Sequence, residues 1–231
     1  GAQAAERTTP LVVTEKDQPV SDDFKNVSIA DGKMPAILEI ASTAAADEKG
    51  VTTVNSKTIN GTFTVGGSKG NVAEANGIWV QDNYPGTVKL ADGLNIKVDT
   101  VGIYYNASGI YLEGVDTHHG MLGESYAAND EYTNTYNGHI SPTTVHVGDG
   151  TTITVHANAP GGNPGDFLNA VALENHFGHM TVGNNVTVTT ETGVFKENDS
   201  NGFAQLYSNG FAQLFYGDTS IGNYFSATVK A

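Results

Sequence analysis

The strongest constraint on this chain is a short phrase that it repeats: apolar-x-apolar, a small residue, then Asp or Asn. The phrase stands as VSIADG at 27–32, VKLADGLNIKV at 88–98, VHVGDGTTITV at 145–155 and MTVGNNVTVTT at 180–190. Period-two alternation over a few residues marks half-buried strands. Gly, Asn and Asp most easily supply the positive φ of a sharp corner. One strand-corner-strand unit cannot bury its inward row alone, whereas a stack of such units buries it continuously. The phrase therefore predicts a β-solenoid with a corner in each repeat.

A second element, Gly/Ala-apolar-x-apolar, precedes the corners at Gly77-Ile78-Trp79-Val80, Ala170-Val171-Ala172-Leu173 and Gly202-Phe203-Ala204-Gln205-Leu206. A further corner is expected at Phe215-Tyr216-Gly217-Asp218, because Val147 to Val182 spans 35 residues and Val182 to Tyr216 spans 34. Leu90 to Val147 spans 57, which leaves room for one extra coil or a long loop. Residues 1–23 read as an irregular or capping lead-in and 24–231 as the solenoid, with a loop excursion near 118–142. The stretch 39–50 is the one that tolerates a helical turn. The tandem NGFAQLYS and NGFAQLFY at 201–216 suits two strands joined by a tight turn at Ser208-Asn209-Gly210, and a recent duplication extending one corner is equally consistent.

The net charge is -14, and the only cations besides His are ten Lys and Arg7. Such a chain has no basic face with which to displace counterions from phosphates, so nucleic acid is excluded as a partner. Acidic membrane surfaces are poor partners for the same reason. With no Cys, disulfides, thiolate zinc sites and Cys nucleophiles are excluded. No apolar run reaches the roughly 18–20 residues that span a bilayer. Ala2-Gln3-Ala4 has the A-x-A form of a signal-peptidase site, and the chain is expected to be exported.

TVHVGDGTTITVHA, AVALENHFGHMTVGNNVTVTT and GIYYNASGIYLEG resemble passenger domains of bacterial autotransporters of the right-handed β-helix type. The resemblance covers roughly residues 77–231 and, more faintly, 24–76. It implies an all-β, single-stranded right-handed parallel β-helix with irregular loops. It also implies export across the outer membrane of a Gram-negative-type bacterium and display at the cell surface by a C-terminal β-barrel. Many members of that family are adhesins or biofilm factors, and some carry protease or esterase domains. The implied partners are a host glycan or matrix protein, or like copies of the chain, with membrane contact through the barrel alone. This chain departs from the pattern in its irregular coil spacing and in carrying no barrel sequence.

Several residues are candidates for chemistry. Glu174, His176 and His179, in ENHFGH, form the best cluster for a metal, which needs three or four converging ligands. Otherwise they are surface residues at a strand corner. No cofactor is expected beyond possible Ca²⁺ at Asp92, Asp149, Asn184 and Asp218, which recur at matching corners and otherwise serve as turn residues. His146 and His156 alternate with Val and should face outward. Tyr126, Tyr132, Tyr136 and His139, set among Asn, Asp and Glu in the excursion, could stack on and hydrogen-bond a sugar. Trp79 is the one Trp: if Ile78 and Val80 face the core it points out as an anchor, and the reverse parity makes it core. No Ser sits in a setting distinctive of a nucleophile. The acidic doublets are Asp22-Asp23, Asp47-Glu48 and Asp130-Glu131, and Arg7 lies outside the repeats. The expectation is a non-catalytic adhesin, with a polysaccharide lyase or hydrolase, or a structural stalk, as alternatives.

Overall fold

A computed structural model describes residues 4–15, 18–30, 33–41, 50–64, 73–81, 84, 86–102, 104–114, 143–160, 167–195, 205–214 and 217–230. Every regular element among them is a strand, and every pairing between named strands is parallel. The chain opens with β1 (Glu6–Arg7), β2 (Leu11–Val13), β3 (Asp23–Ala30) and β4 (Ala36–Ile40). Three-strand circuits follow: β5 (Val51–Val54), β6 (Thr58–Thr64), β7 (Ala73–Val80); then β8 (Thr87–Leu90), β9 (Asn95–Val101), β10 (Tyr104–Leu112). Next come β11 (Thr144–Val147), β12 (Thr152–Pro160), β13 (Phe167–His176); β14 (His179–Val182), β15 (Thr187–Phe195), β16 (Gln205–Leu214); and last β17 (Asp218–Ile221), β18 (Ser226–Lys230).

The three strands of each circuit go to three different sheets. Sheet A stacks β1-β3-β6-β9-β12-β15-β18, sheet B β2-β4-β7-β10-β13-β16 and sheet C β5-β8-β11-β14-β17. Strand order within each sheet is therefore chain order, an arrangement consistent with a β-helix or solenoid-like fold. Within the lead-in, β1 and β2 stand at the ends of sheets A and B. Arg7 ties this end together: its guanidinium meets Asp22 at 3.1 Å and lies 5.4 Å over the Phe24 ring.

Stacking turns the alternation into continuous apolar rows. In sheet A, Ile59, Ile96, Ile153 and Val188 are in register and buried. In sheet C, Val88, Val145 and Met180 do the same, as do Ile78, Ile110 and Leu173 in sheet B. Polar side chains also enter the inward rows, among them Thr52, Thr100, Thr190 and Asn175; Asn175 aligns with Leu112 and is fully buried. Its amide donates to the carbonyls of Gly178 and Asp218 and its Oδ1 accepts from the Gly178 N–H, so the polar group is satisfied and pins the B–C corner to the next circuit.

The repeated corner has a structural ladder. Asp92 Oδ1 accepts the N–H of Asp149 (2.8 Å), Asp149 Oδ1 that of Asn184 (2.7 Å), and Asn184 Oδ1 that of Asn223 (2.8 Å). The residue after each has positive φ: Gly93 71°, Gly150 67°, Asn185 57° and Tyr224 60°. The last corner is thus Asn223-Tyr224, not Gly217-Asp218, and it follows Asn184 by 39 residues. Asp218 instead opens β17, in register with His179. The tandem NGFAQL repeat is also not a hairpin, since Ser208-Asn209-Gly210 lies inside the continuous strand β16. Register further shows that Ala172-Leu173, not Ala170-Val171, matches Gly109-Ile110.

Those Gly-apolar pairs mark a bend in sheet B. A Cβ on Gly77 would meet Ile96 Cγ2 of sheet A at 2.7 Å, so position 77 points inward, and Ile78 beside it is also core. Two consecutive inward residues break the alternation and fold the strand. Sheet B presses against sheet A at this apex, and a side chain there has no room. Gly109→Ala, whose Cβ would strike Ile153 Cγ2 and the Ala172 carbonyl, is expected to destabilise the protein by about 1–3 kcal/mol, the usual cost of overpacking. Urea denaturation at equilibrium measures this.

Candidate functional site

The bend makes the outer face of sheet B concave. Asn106 stands five residues before Tyr111, the register partner of Glu174. On a straight strand that offset is roughly 16 Å, too far for these side chains to bridge. Yet Asn106 Nδ2 donates to Glu174 Oε2 at 2.8 Å. Fold and hydrogen bond together define a narrow groove across the strands whose two rows of side chains touch: Asn76 and Ser108 are fully buried, Asn106 is 5% exposed and Tyr111 8%.

One wall carries Glu74, Asn106 and Asn169, with Asn76 and Ser108 toward the bend. Asn169 donates to Asn106 Oδ1 at 2.8 Å, and Ser108 donates to Asn76 Oδ1. The opposite wall is the register row Glu39, Trp79, Tyr111, Glu174. Ile78 and Val80 are buried in the core, so Trp79 points outward, half-buried, the first of the two parities open in the sequence. Its indole stacks with the Tyr111 ring (centroids 6.4 Å apart, planes 17° apart) and donates to Glu113 Oε2 at 2.9 Å. The His176 ring meets Tyr111 edge-on at 5.0 Å. Gln81 donates to Glu39 at the end of this wall.

Glu174 is 4% exposed and both its oxygens are engaged. Oε2 accepts from Asn106, and Oε1 lies 2.9 Å from His176 Nε2. Glu74, facing it from the other wall, has its carboxyl pushed above the ordinary range. Burial is the main cause, the Glu174 charge adds to it, and His176 acts in the opposite sense.

Of the metal candidates, Glu174 and His176 are brought together, while His179 stands on sheet C with its Nδ1 2.8 Å from Asp218. No group of three His, Cys, Asp or Glu side chains converges among the described residues. Asp92, Asp149 and Asn184 do line up, but each spends one oxygen on the corner ladder. His146 and His156 face outward and half-buried, His146 against Thr181 and His156 3.2 Å from Asp99. Tyr126, Tyr132, Tyr136 and His139 lie outside the described residues. Sequence reading missed Glu74, Asn106, Tyr111 and Glu113. The available signal was their outward parity in strands whose Gly-apolar pairs share one register. Compared with known proteins, the chain matches no family model, no curated protein and no solved structure.

The direction of the Glu74 shift gives a stability prediction. Below the unfolded-state value near 4, Glu74 is protonated whether the chain is folded or not, and burial of its charge costs nothing. As pH rises through the higher folded value, the ionised form must be held beside Glu174 and stability falls. Glu74→Gln is therefore expected to be more stable than the parent at pH 7, with the gain disappearing toward pH 4. Urea midpoints of both proteins across that range test it, and a gain independent of pH would reject it.

Proposed function

We propose that this chain is a single-stranded right-handed β-helix serving as the passenger of an autotransporter, and that it is a non-catalytic adhesin holding a glycan in the groove of sheet B. The reading of handedness rests on the strong right-hand preference of parallel crossovers. Passenger identity rests on the sequence resemblance, and surface display follows from it. The observation that carries the adhesive reading is the outward, half-buried Trp79, backed by the buried Tyr111 ring and flanked by Glu113 and Gln81. Flat rings cover the apolar face of a sugar, and amides and carboxylates around them accept and donate to hydroxyls. A groove across stacked strands offers a new set of such groups every ~4.8 Å, which suits an extended polymer.

One observation favours a second reading. Two facing carboxyl groups, one of them with its proton affinity raised by burial and by the other's charge, make the kind of pair that acid–base glycoside hydrolysis uses. Glu74 and Glu174 would form that pair. Retention on a glycan panel separates the two: binding without new reducing ends supports the adhesin, and product formation supports the hydrolase. In the adhesin, Trp79→Ala is expected to weaken glycan retention at least about tenfold, equivalent to roughly 1.4 kcal/mol, with the strand-type circular dichroism unchanged. Unaltered retention by that variant would move the site away from this groove.

A further inference from the structure

The outer face of sheet A, on a different sheet from Trp79, is interrupted at β3. Between Phe24 and Val27 the register with β6 slips by one residue, so Lys25 and Asn26 stand opposite Asn60 alone. A bulge of this kind bends its strand and breaks the ladder locally. Asn26 takes a positive φ of 53° there, and its N–H donates to the Asn60 side chain at Oδ1 instead of to a strand carbonyl. Beside the bulge lies a cavity of about 110 Å³, lined by Asn26, Asn60, Gly61, Thr62, Lys97 and Asp99. Asn26 and Lys97 are exposed, and Asn60, Thr62 and Asp99 are half-buried, so a ligand can reach the lining from solvent.

The lining has hydrogen-bonding capacity to spare. Asn60 pairs with Lys97 in the register and Thr62 with Asp99, which sets four polar side chains at the corners of a patch on two neighbouring strands. Among the described residues, Asn60 Nδ2, the Asn26 carboxamide and the Thr62 hydroxyl hold no side-chain hydrogen bond. Asp99 Oδ1 faces His156 Nδ1 at 3.2 Å, whereas Asp99 Oδ2 stands 3.9 Å from Lys97 Nζ, beyond hydrogen-bond length. That gap decides the chemistry. A group that fills it must accept from the ammonium and donate to the carboxylate, and a hydroxyl does both. A carboxylate or sulfate would suit Lys97 but meet Asp99 as a like charge, and an ammonium would suit Asp99 but meet Lys97 in the same way. Asn60 and Thr62 lie one strand away, roughly 4.8 Å, within reach of a second hydroxyl on the same ring. The volume is far below the roughly 300–1,000 Å³ of a pocket that encloses a whole ligand, so the cavity takes one edge of a single ring. With no aromatic side chain in the lining, binding rests on hydrogen bonds alone and is weak.

We infer that this cavity on sheet A binds an uncharged hexopyranose residue through its ring hydroxyls, one bridging Lys97 and Asp99 and another held by Asn60 and Thr62. The site is separate from the one proposed at Trp79 and stands independently of it.

The test is an NMR titration of the isotope-labelled whole chain that reads the side-chain amides of Asn26 and Asn60. The probes are soluble hexamers: neutral gluco-, manno- and galacto-oligosaccharides, an oligo-uronate and fully de-N-acetylated glucosamine. At least one neutral hexamer is expected to shift both amides and to bind about tenfold or more tightly than either charged one. Lys97→Met should abolish that binding. Lys89→Met, the same change at an exposed position of sheet C, should leave it intact, and so should Trp79→Ala. Binding of the uronate or of glucosamine as tight as that of the neutral hexamers would overturn the assignment. So would binding of a neutral hexamer that Trp79→Ala removes and Lys97→Met does not, a result that keeps the sheet B reading and loses this one. If no hexamer moves the Asn26 and Asn60 amides, the cavity is not a sugar site, whatever the outcome at Trp79.

Discussion

Everything in this molecule depends on parallel strands stacking in register from one circuit to the next. No circuit closes a core by itself. Ile96 is buried because Ile59 and Ile153 lie above and below it and because Gly77 lets sheet B approach. The same register that aligns apolar side chains inside aligns everything else outside. It turns single corner residues into the ladder of Asp92, Asp149, Asn184 and Asn223. It also turns single outward residues into the rows that form the groove. Stability and recognition thus share one geometrical cause, and a slip of one residue would exchange the inner row for the outer.

The bend in sheet B is where that shared register becomes asymmetric. The long strands of sheet A after β3 and the short strands of sheet C keep a regular alternation, so their outer residues stand apart and meet water. His156 between Asp99 and Glu191 is such a row, its members side by side on neighbouring strands. In sheet B, two adjacent inward positions fold each strand and bring residues five apart within hydrogen-bonding distance. Gly77, Gly109, Ala172 and Gly210 occupy the apex, where a Cβ at the glycines collides with sheet A or with the neighbouring strand, or sits tightly against them. On β4 the same position is Ile37, and there Gly61 of sheet A is the small residue that leaves room for it, so the close approach needs a small residue on one side of the contact.

The alternation and the Asp/Asn-Gly corners were legible in the sequence because both are local: each depends on residues within half a dozen positions. Boundaries that depended on counting between repeats were less so. The circuits differ in length, with Asp92, Asp149, Asn184 and Asn223 separated by 57, 35 and 39 residues. Extrapolating the 35-residue interval placed the last corner at Asp218, five residues early. The second NGFAQL copy, read as half of a hairpin, supplies Gly210-Phe211 to the apex row, while the first copy leads into the same strand. Trp79 was visible as a choice between two faces, which the burial of Ile78 and Val80 decides. The Glu74–Glu174 pair was not visible at all. A search for adjacent acids finds Asp22-Asp23, whereas the carboxylates that interact here lie on different strands, 100 positions apart in the chain (174 - 74).

That last failure follows from the architecture. In a parallel stack the neighbours of a residue are one circuit away, so a site cannot be spelled by a contiguous motif. On a bent sheet it is not spelled by register alone either, since Asn106 meets Glu174 rather than only its own partner, Asn169. Chemistry then concentrates where the bend brings rows together and water is partly excluded. Carboxyl groups that would be unremarkable on an alternating face are desolvated there and feel each other, as the upward shift of Glu74 shows, caused first by burial and then by the Glu174 charge. A fold that repeats the same strand along its length gains a distinct site by folding one of its three sheets inward, and the repeated Gly-apolar pair is the sequence trace of that fold.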